Sequence, residues 1–322
     1  MIMSRVPLFN TPIVFFSFNR PLETQAVFAQ ISLLKPTKLF LVADGPRSAH
    51  PSDLILCNQV RDIISEVTWQ CHVSQLFFDT NQGCRQAILQ GLNWVFEQET
   101  TAIILEDDCV PNSSFFLFCQ ELLDYYQDNP RIMSIGGYRY LPDEIQNPES
   151  YCFSKYTQSW GWATWKRAWN LMDAELMTWD DVSQSAWLGS HLANPLYITY
   201  WKYIFNQMQK GMNAWDYAWA YSCWRNNGLT IHPKVNLISP IGFGNNATHN
   251  TDTSHPSAFR NAIAMPFPLN HPNEISLHEA VENWIEEHCF SGMNEKRLKM
   301  GFSRILAARK FSSEVKDLQK YC

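Results

Sequence analysis

Three consecutive acids, Glu106-Asp107-Asp108, directly follow the most apolar short run of this 322-residue chain, Ala102-Ile103-Ile104-Leu105. Adjacent carboxylates repel one another, and a divalent cation removes that penalty. Mg2+ or Mn2+ is typically held by one or two protein carboxylates together with substrate phosphate oxygens. A cation placed this way stabilises negative charge growing on a departing diphosphate. The alternative is an acidic loop at the start of the next helix, where negative charge is also favourable. Further along, Asp216 stands between Trp215 and Tyr217. Partial desolvation by aromatic neighbours raises a carboxylate's basicity, which suits a general base; the alternative is a helix-capping aspartate.

These acids need elements to position them, and the first part of the chain alternates strand and helix patterns. Ile13–Phe18 reads as a buried strand, and Pro21 then opens a helix with Val27, Ile31 and Leu34 on one face. Lys38–Val42 is the next strand, stopped by the turn residues Asp44-Gly45-Pro46. A helix over Asp53–Ser65 and a strand over Val73–Phe78 follow, then a helix with a stripe of Ile88, Leu92, Val95 and Phe96. Beyond the Ala102–Leu105 strand, Asn112 or Ser113 caps a helix that aligns Phe115, Cys119, Leu122 and Tyr126. Ile132–Ile135 is a strand ended by Gly136-Gly137. This alternation predicts an α/β domain with a mostly parallel sheet flanked by helices. Such sheets bind ligands beyond the carboxyl ends of their strands, which singles out Asn19-Arg20, Asp44, Asn81 and the acid trio.

The character changes after Tyr140. Ten of the thirteen tryptophans lie between Trp160 and Trp224, so the second half is built on different packing. Pro256, Pro266, Pro268 and Pro272 mark an extended arm, and a helical pattern runs from Ser276 to the C-terminus. The expected organisation is 1–140 and 141–254 as two halves of one domain, with 255–322 as arm and C-terminal helical extension.

With 46% hydrophobic and 17% charged residues, the composition is globular. A formal net charge of −6 argues against nucleic acid as a partner. Eight basic against three acidic residues give Met293–Cys322 a charge of +5, leaving −11 elsewhere. Leu298, Phe302 and Ile305 share helical spacing in that tail. The tail therefore reads either as a peripheral contact with anionic lipid or as a packed helix with a solvated face. Nine cysteines without a CxxC pair read as reduced thiols. With neither a signal peptide nor a membrane-length apolar run, the expected location is cytoplasmic.

The trio together with Val110-Pro111-Asn112-Ser113-Ser114-Phe115-Phe116 resembles the GT-A (Rossmann-like) class of glycosyltransferases. Within that class the chain is similar to the inverting N-acetylglucosaminyltransferase I type, over roughly Pro12 to His249. The resemblance implies that Asp108 is the metal ligand and that Glu106 and Asp107 lie near the donor sugar or ribose. It implies that Arg20 faces the nucleotide and that Asp44 accepts the imide N–H of a uracil. Asn81-Gln82-Gly83-Cys84-Arg85 is similar to a helix start of family 2 transferases, where the helix N–H groups and Arg85 face the nucleotide or its phosphates. Trp160 and Trp162, in Ser159–Trp165, match a segment near donor sugar and acceptor, and Trp165 and Trp169 are expected in the core. Asn213–Trp219 resembles a segment bearing the catalytic base. This makes Asp216 the expected base and places Trp215 beside the acceptor, although Tyr217 replaces a second acid of that motif. Gly242-Phe243-Gly244 is expected to form a closing loop. His249 resembles a late histidine of the metal or diphosphate site; the alternative is a surface histidine.

The resemblance thus implies an inverting, metal-dependent transfer (Mn2+ or Mg2+) from a nucleotide diphosphate sugar, UDP before dTDP, to a glycan or lipid-linked acceptor. One rival is a non-catalytic carbohydrate-binding protein built on the tryptophans. A second is a sugar-phosphate nucleotidylyltransferase, disfavoured because Phe18-Asn19-Arg20-Pro21 lacks the glycine-rich phosphate loop of such enzymes.

Overall fold

The computed structural model describes residues 8–142, 145, 147–243 and 260–289. In chain order the first elements are β1 (Ile13–Ser17), α1 (Pro21–Leu34), β2 (Lys38–Ala43), α2 (Pro51–Ser65), β3 (His72–Phe77), α3 (Cys84–Gln98) and β4 (Thr101–Glu106). Next come β5 (Cys109–Pro111), α4 (Ser113–Tyr125), β6 (Ile132–Gly136), β7 (Tyr151–Ser154) and β8 (Trp162–Trp165). Five helices follow: α5 (Lys166–Trp169), α6 (Trp179–Ser183), α7 (Trp187–His191), α8 (Pro195–Gln209) and α9 (Asp216–Arg225). The last elements are β9 (Leu229–Pro233), β10 (Ile238–Pro240) and α10 (Glu279–Cys289).

One eight-stranded sheet spans both halves in the order β3-β2-β1-β4-β8-β6-β9-β7. β3, β2, β1 and β4 are mutually parallel, and β6 is parallel to β9. β8 is antiparallel to both β4 and β6, and β7 to β9. Only β7 and β8 therefore oppose the common direction, and the expected mostly parallel α/β sheet is present. The reason is visible in the strands. All five residues of β1 are buried, with Val14 and Phe16 packing into the core below α3 while Ile13 and Phe15 face α1 and α4. A strand that is apolar on both faces is stable only when helices cover both.

The topology fixes where a ligand can sit. From β1 the chain steps outward to β2 and β3, then returns to place β4 on the opposite side of β1. The gap at the carboxyl ends of β1 and β4 is thus a switch point of the sheet, the usual ligand crevice of open α/β sheets. Arg20 follows β1 and the acid trio ends β4, so the two flank that gap.

The second half packs on aromatic rings. Trp162, Trp179, Trp219 and Trp224 are fully buried. Trp162 stacks on Trp215 at 5.2 Å and 20°, and Trp219 lies 5.8 Å from Trp162 and 5.4 Å from Trp169. Trp165 and Trp169, spaced as on one helix in the sequence, sit on different elements, the end of β8 and α5. Both are buried.

The arm runs along the domain. Met265 N donates to Ser114 Oγ at 2.8 Å, Ile263 N to Asn236 O at 2.7 Å, and Ser150 N to Asn270 O at 2.8 Å. Lys155 then ties α10 through Glu282 at 3.0 Å and Glu286 at 2.7 Å. The basic tail bearing Leu298, Phe302 and Ile305 lies outside the described residues. Among the described residues, no helix is long and apolar enough to cross a membrane.

Candidate active site

Four segments of distant sequence meet at the switch point. β4 delivers Glu106, and a tight turn carries Asp107 and Asp108 into β5. β5 pairs antiparallel with β10, and the pairing continues past the strand as Ile241 N donates to Asp108 O at 2.8 Å. This brings Gly242 against Asp108: a Cβ on residue 242 would overlap the Asp108 carboxylate, so glycine is required for the close approach. Phe243 then packs edge-on against Trp160 at 5.9 Å, and Trp160 against Tyr138 at 4.8 Å. An aromatic wall therefore stands beside the acids. The rest of the expected closing loop, with His249, lies outside the described residues.

Arg20 supplies the positive charge. Its Nη1 donates to Asp108 Oδ2 at 3.0 Å and its Nη2 to Asp107 Oδ1. Phe18 N donates to Asp107 Oδ2 at 3.3 Å, and Cys109 Sγ to Asp108 Oδ1 at 3.3 Å. Burial opposes the charge on Arg20, but Asp107 and Asp108 outweigh it and hold the guanidinium above its ordinary range. Burial raises the Glu106 carboxyl well above the ordinary carboxylate value, reinforced by Asp108 and Asp107 and opposed by Arg20. Burial likewise raises Asp107, against the pull of Arg20.

Asp216 approaches from the other half of the molecule. It is the first residue of α9, half-buried, where helix N–H groups favour a carboxylate. Its charge adds to the upward push on Glu106 and on the Cys84 thiol. Asn213, three residues earlier, accepts from Arg85 N at 3.3 Å and docks this segment on the start of α3. Glu106, Asp107, Asp108, Cys84 and Asp216 thus form one electrostatic cluster, although β4, α3 and α9 are far apart in sequence.

Several expected contacts are arranged differently. Asp44 is 6% exposed, and its Oδ1 accepts from Gly45 N and Gln82 N, both at 2.8 Å. Its Oδ2 accepts from Asn81 Nδ2 at 2.8 Å and Gly83 N at 3.1 Å. A carboxylate has about four acceptor sites, and here the chain fills them. Asp44 is therefore a loop tie rather than a free acceptor for a base edge. The same bonds occupy Asn81 and the N–H groups that lead into α3, which had been expected to face phosphate. Arg85 also points elsewhere: its Nη2 donates to Ala174 O at 2.6 Å and to Glu175 at 2.7 Å. Those partners wall a separate cavity of about 400 Å³ shared with Gln90 and Asn93. Trp162 and Trp215, expected at the sugar, are buried at 0% and 3% exposure. Their stacked rings form the floor from which α9 starts. Trp160 alone of the three is half-exposed beside the acids.

Two participants escaped the sequence reading. Cys84 had only its place after Asn81-Gln82-Gly83 as a signal. Gly242 was visible as a loop glycine, but its contact with Asp108 depends on the β5–β10 pairing.

No family profile and no curated protein matches the chain. Solved structures align with it at low identity. Mannosyltransferase PcManGT from Pyrobaculum calidifontis, in complex with GDP-Man and Mn2+, is 10% identical with a TM-score of 0.32, over 49% of this chain and 45% of that one. The chain thus spans less than half the length of that mannosyltransferase. A UDP-glucose pyrophosphorylase complexed with UDP-glucose is 12% identical with a TM-score of 0.37, over 71% of this chain and 92% of that one. Galactosyltransferase LgtC, in complex with donor and acceptor sugar analogs, is 9% identical with a TM-score of 0.33, over 66% and 70% respectively. The α/β assignment rests on the strand order above.

Proposed function

We propose that the protein is an inverting glycosyltransferase that moves a sugar from a nucleotide diphosphate, UDP first among the candidates, onto a hydroxyl of a glycan or lipid-linked acceptor. The observation that carries this reading is the gathering of Glu106, Asp107 and Asp108 around Arg20 at the switch point between β1 and β4, with Asp216 of the second half within electrostatic reach of Glu106. One carboxylate from the aromatic half lies within electrostatic reach of Glu106 at the end of β4. That division matches a displacement in which a leaving group and an attacking hydroxyl occupy opposite sides of a sugar.

The cluster fits a divalent cation, Mn2+ or Mg2+. Among the described residues, Glu106, Asp107 and Asp108 stand beside one guanidinium, which is hydrogen-bonded to the two aspartates and leaves the Glu106 carboxylate unbridged by it. Among those residues no three His, Cys, Asp or Glu side chains share a ligating geometry; such ions need only one or two protein carboxylates beside phosphate oxygens. Asp108 and Glu106 are the residues that would hold the ion, which would supply charge neutralisation to a departing diphosphate.

Asp216 takes the proton of the acceptor hydroxyl as that oxygen bonds to the anomeric carbon and the carbon–diphosphate bond breaks. Trp160, backed by the buried Tyr138 and packed against Phe243, offers an apolar ring surface to a sugar and limits water, which would otherwise hydrolyse the donor.

A screen of nucleotide sugars for donor hydrolysis, followed by NMR of the product's anomeric proton, tests the reading. Inversion is expected, and retention excludes the single displacement. Asp216→Asn is expected to lower turnover by about 10²–10⁴-fold with donor affinity unchanged; a fully active variant removes the base. Calorimetry with UDP, with and without Mn2+, separates this reading from a sugar-binding protein that needs neither.

A further inference from the structure

The acid trio already has a cation, and that cation is a side chain. One guanidinium ties two of the three acids, with Arg20 Nη1 on Asp108 Oδ2 at 3.0 Å and Nη2 on Asp107 Oδ1. The side chains of Arg20, Asp107 and Asp108 are 15%, 4% and 20% exposed, so solvent screens the pair poorly. Phe18 N and Cys109 Sγ take the remaining oxygens of Asp107 and Asp108. Every oxygen of both aspartates therefore has a donor. A divalent ion binds the carboxylate oxygen directly and brings two charges to a point. A guanidinium brings one charge spread over a planar fork. Two cations sharing Asp108 Oδ2 would repel strongly in a shielded site.

We propose that Arg20 is a resident counter-cation which a divalent ion must displace from Asp108, and that an incoming diphosphate receives the released guanidinium, so that ion and nucleotide diphosphate bind with positive coupling. This rests on the reading of the trio as the holder of the ion. The guanidinium fork matches phosphate as well as it matches carboxylate, so the transfer keeps its hydrogen bonds. Pro21 at the start of α1 fixes the backbone beside Arg20, which leaves the change to the side chain. Because binding linkage is reciprocal, the diphosphate strengthens ion binding by the same factor as the ion strengthens diphosphate binding.

The test is a calorimetric titration of Mn2+ into the full chain, wild type and Arg20→Gln, with and without UDP. Without UDP, Arg20→Gln is expected to bind Mn2+ on the order of tenfold more tightly than wild type, because its carboxylates have lost their competitor. UDP is expected to tighten Mn2+ binding to both proteins through direct ion–phosphate contact, and to do so more strongly in the wild type, where the diphosphate also receives the released guanidinium. Equal or weaker Mn2+ binding by Arg20→Gln overturns the proposal, as does a gain from UDP that is no larger in the wild type than in the variant. Arg20→Lys keeps the charge with a single point of contact. It is expected to bind Mn2+ with intermediate affinity, and it serves if Arg20→Gln fails to fold. Sugar transfer is assayed separately. Coupling without transfer removes only the proposed function, while transfer with an Mn2+ affinity independent of Arg20 removes only this inference.

Discussion

Strands β1, β2 and β4 bury apolar side chains on both faces and carry charge only at their ends, whereas the region from α5 to α9 buries indole rings and presents the half-buried carboxylate of Asp216. In the first region each acid is held by the chain's own course: a strand ends, and the next residues face the crevice. In the second region long-range contacts dock the segment that carries Asp216. Its direction comes from Trp215 stacked on Trp162, and from Asn213 bonded to the start of α3. The two regions divide the labour, because backbone topology places one set of carboxylates and side-chain packing places the other.

The widest gap between the regions is expected for Trp219→Ala. The ring is fully buried against Trp162 and Trp169. Its loss should lower the free energy of urea unfolding by about 3–5 kcal/mol, and a loss below 1 kcal/mol would show that the aromatic half tolerates cavities. Gly242→Ala probes the other region without touching its core. The added methyl must push the Asp108 carboxylate aside, so donor turnover should fall roughly tenfold or more while the melting temperature hardly moves. A matched loss of stability would instead make Gly242 a folding residue.

A smaller effect is confined to a pH window. The folded chain keeps a proton on Glu106 that the unfolded chain releases near its ordinary value of 4.5. Without added metal, stability should therefore fall as pH rises from 4.5 through the raised value. Melting curves of Glu106→Gln should lack that slope, and an identical slope in both proteins would assign it elsewhere. Least affected should be Asn112→Ala, which removes the cap whose Oδ1 accepts from Ser114 N at 3.0 Å and Ser114 Oγ at 2.8 Å. About 1 kcal/mol is expected from thermal unfolding, with turnover preserved.

Much of the parallel half was legible in the residues. Runs such as Ile13–Phe18 and Lys38–Val42 are apolar without alternation, and only strands covered on both faces bury them. Asn112 announced its helix, and Glu106-Asp107-Asp108 announced the crevice. The loop ties were harder to see. Asp44 looked like a ligand because its position was right, but its hydrogen-bonding capacity is spent on Gly45, Asn81, Gln82 and Gly83. Arg85 looked available until α3 turned it toward Ala174 and Glu175. A residue's type states what it can bond; only its neighbours determine what it does bond.

By itself, then, the sequence determined the alternation of strands and helices, the ends of those strands and the excess of acid at one of them. These follow from local periodicity and burial, which act between near neighbours in the chain. Tertiary structure alone decided that β8 runs against β4 and β6, that Gly242 leans on Asp108, and that Asp216 comes within electrostatic reach of Glu106. Each of these depends on contacts between segments many residues apart. Such contacts arise from how side chains fill space and carry charge once the sheet has assembled, and no single stretch of sequence encodes them.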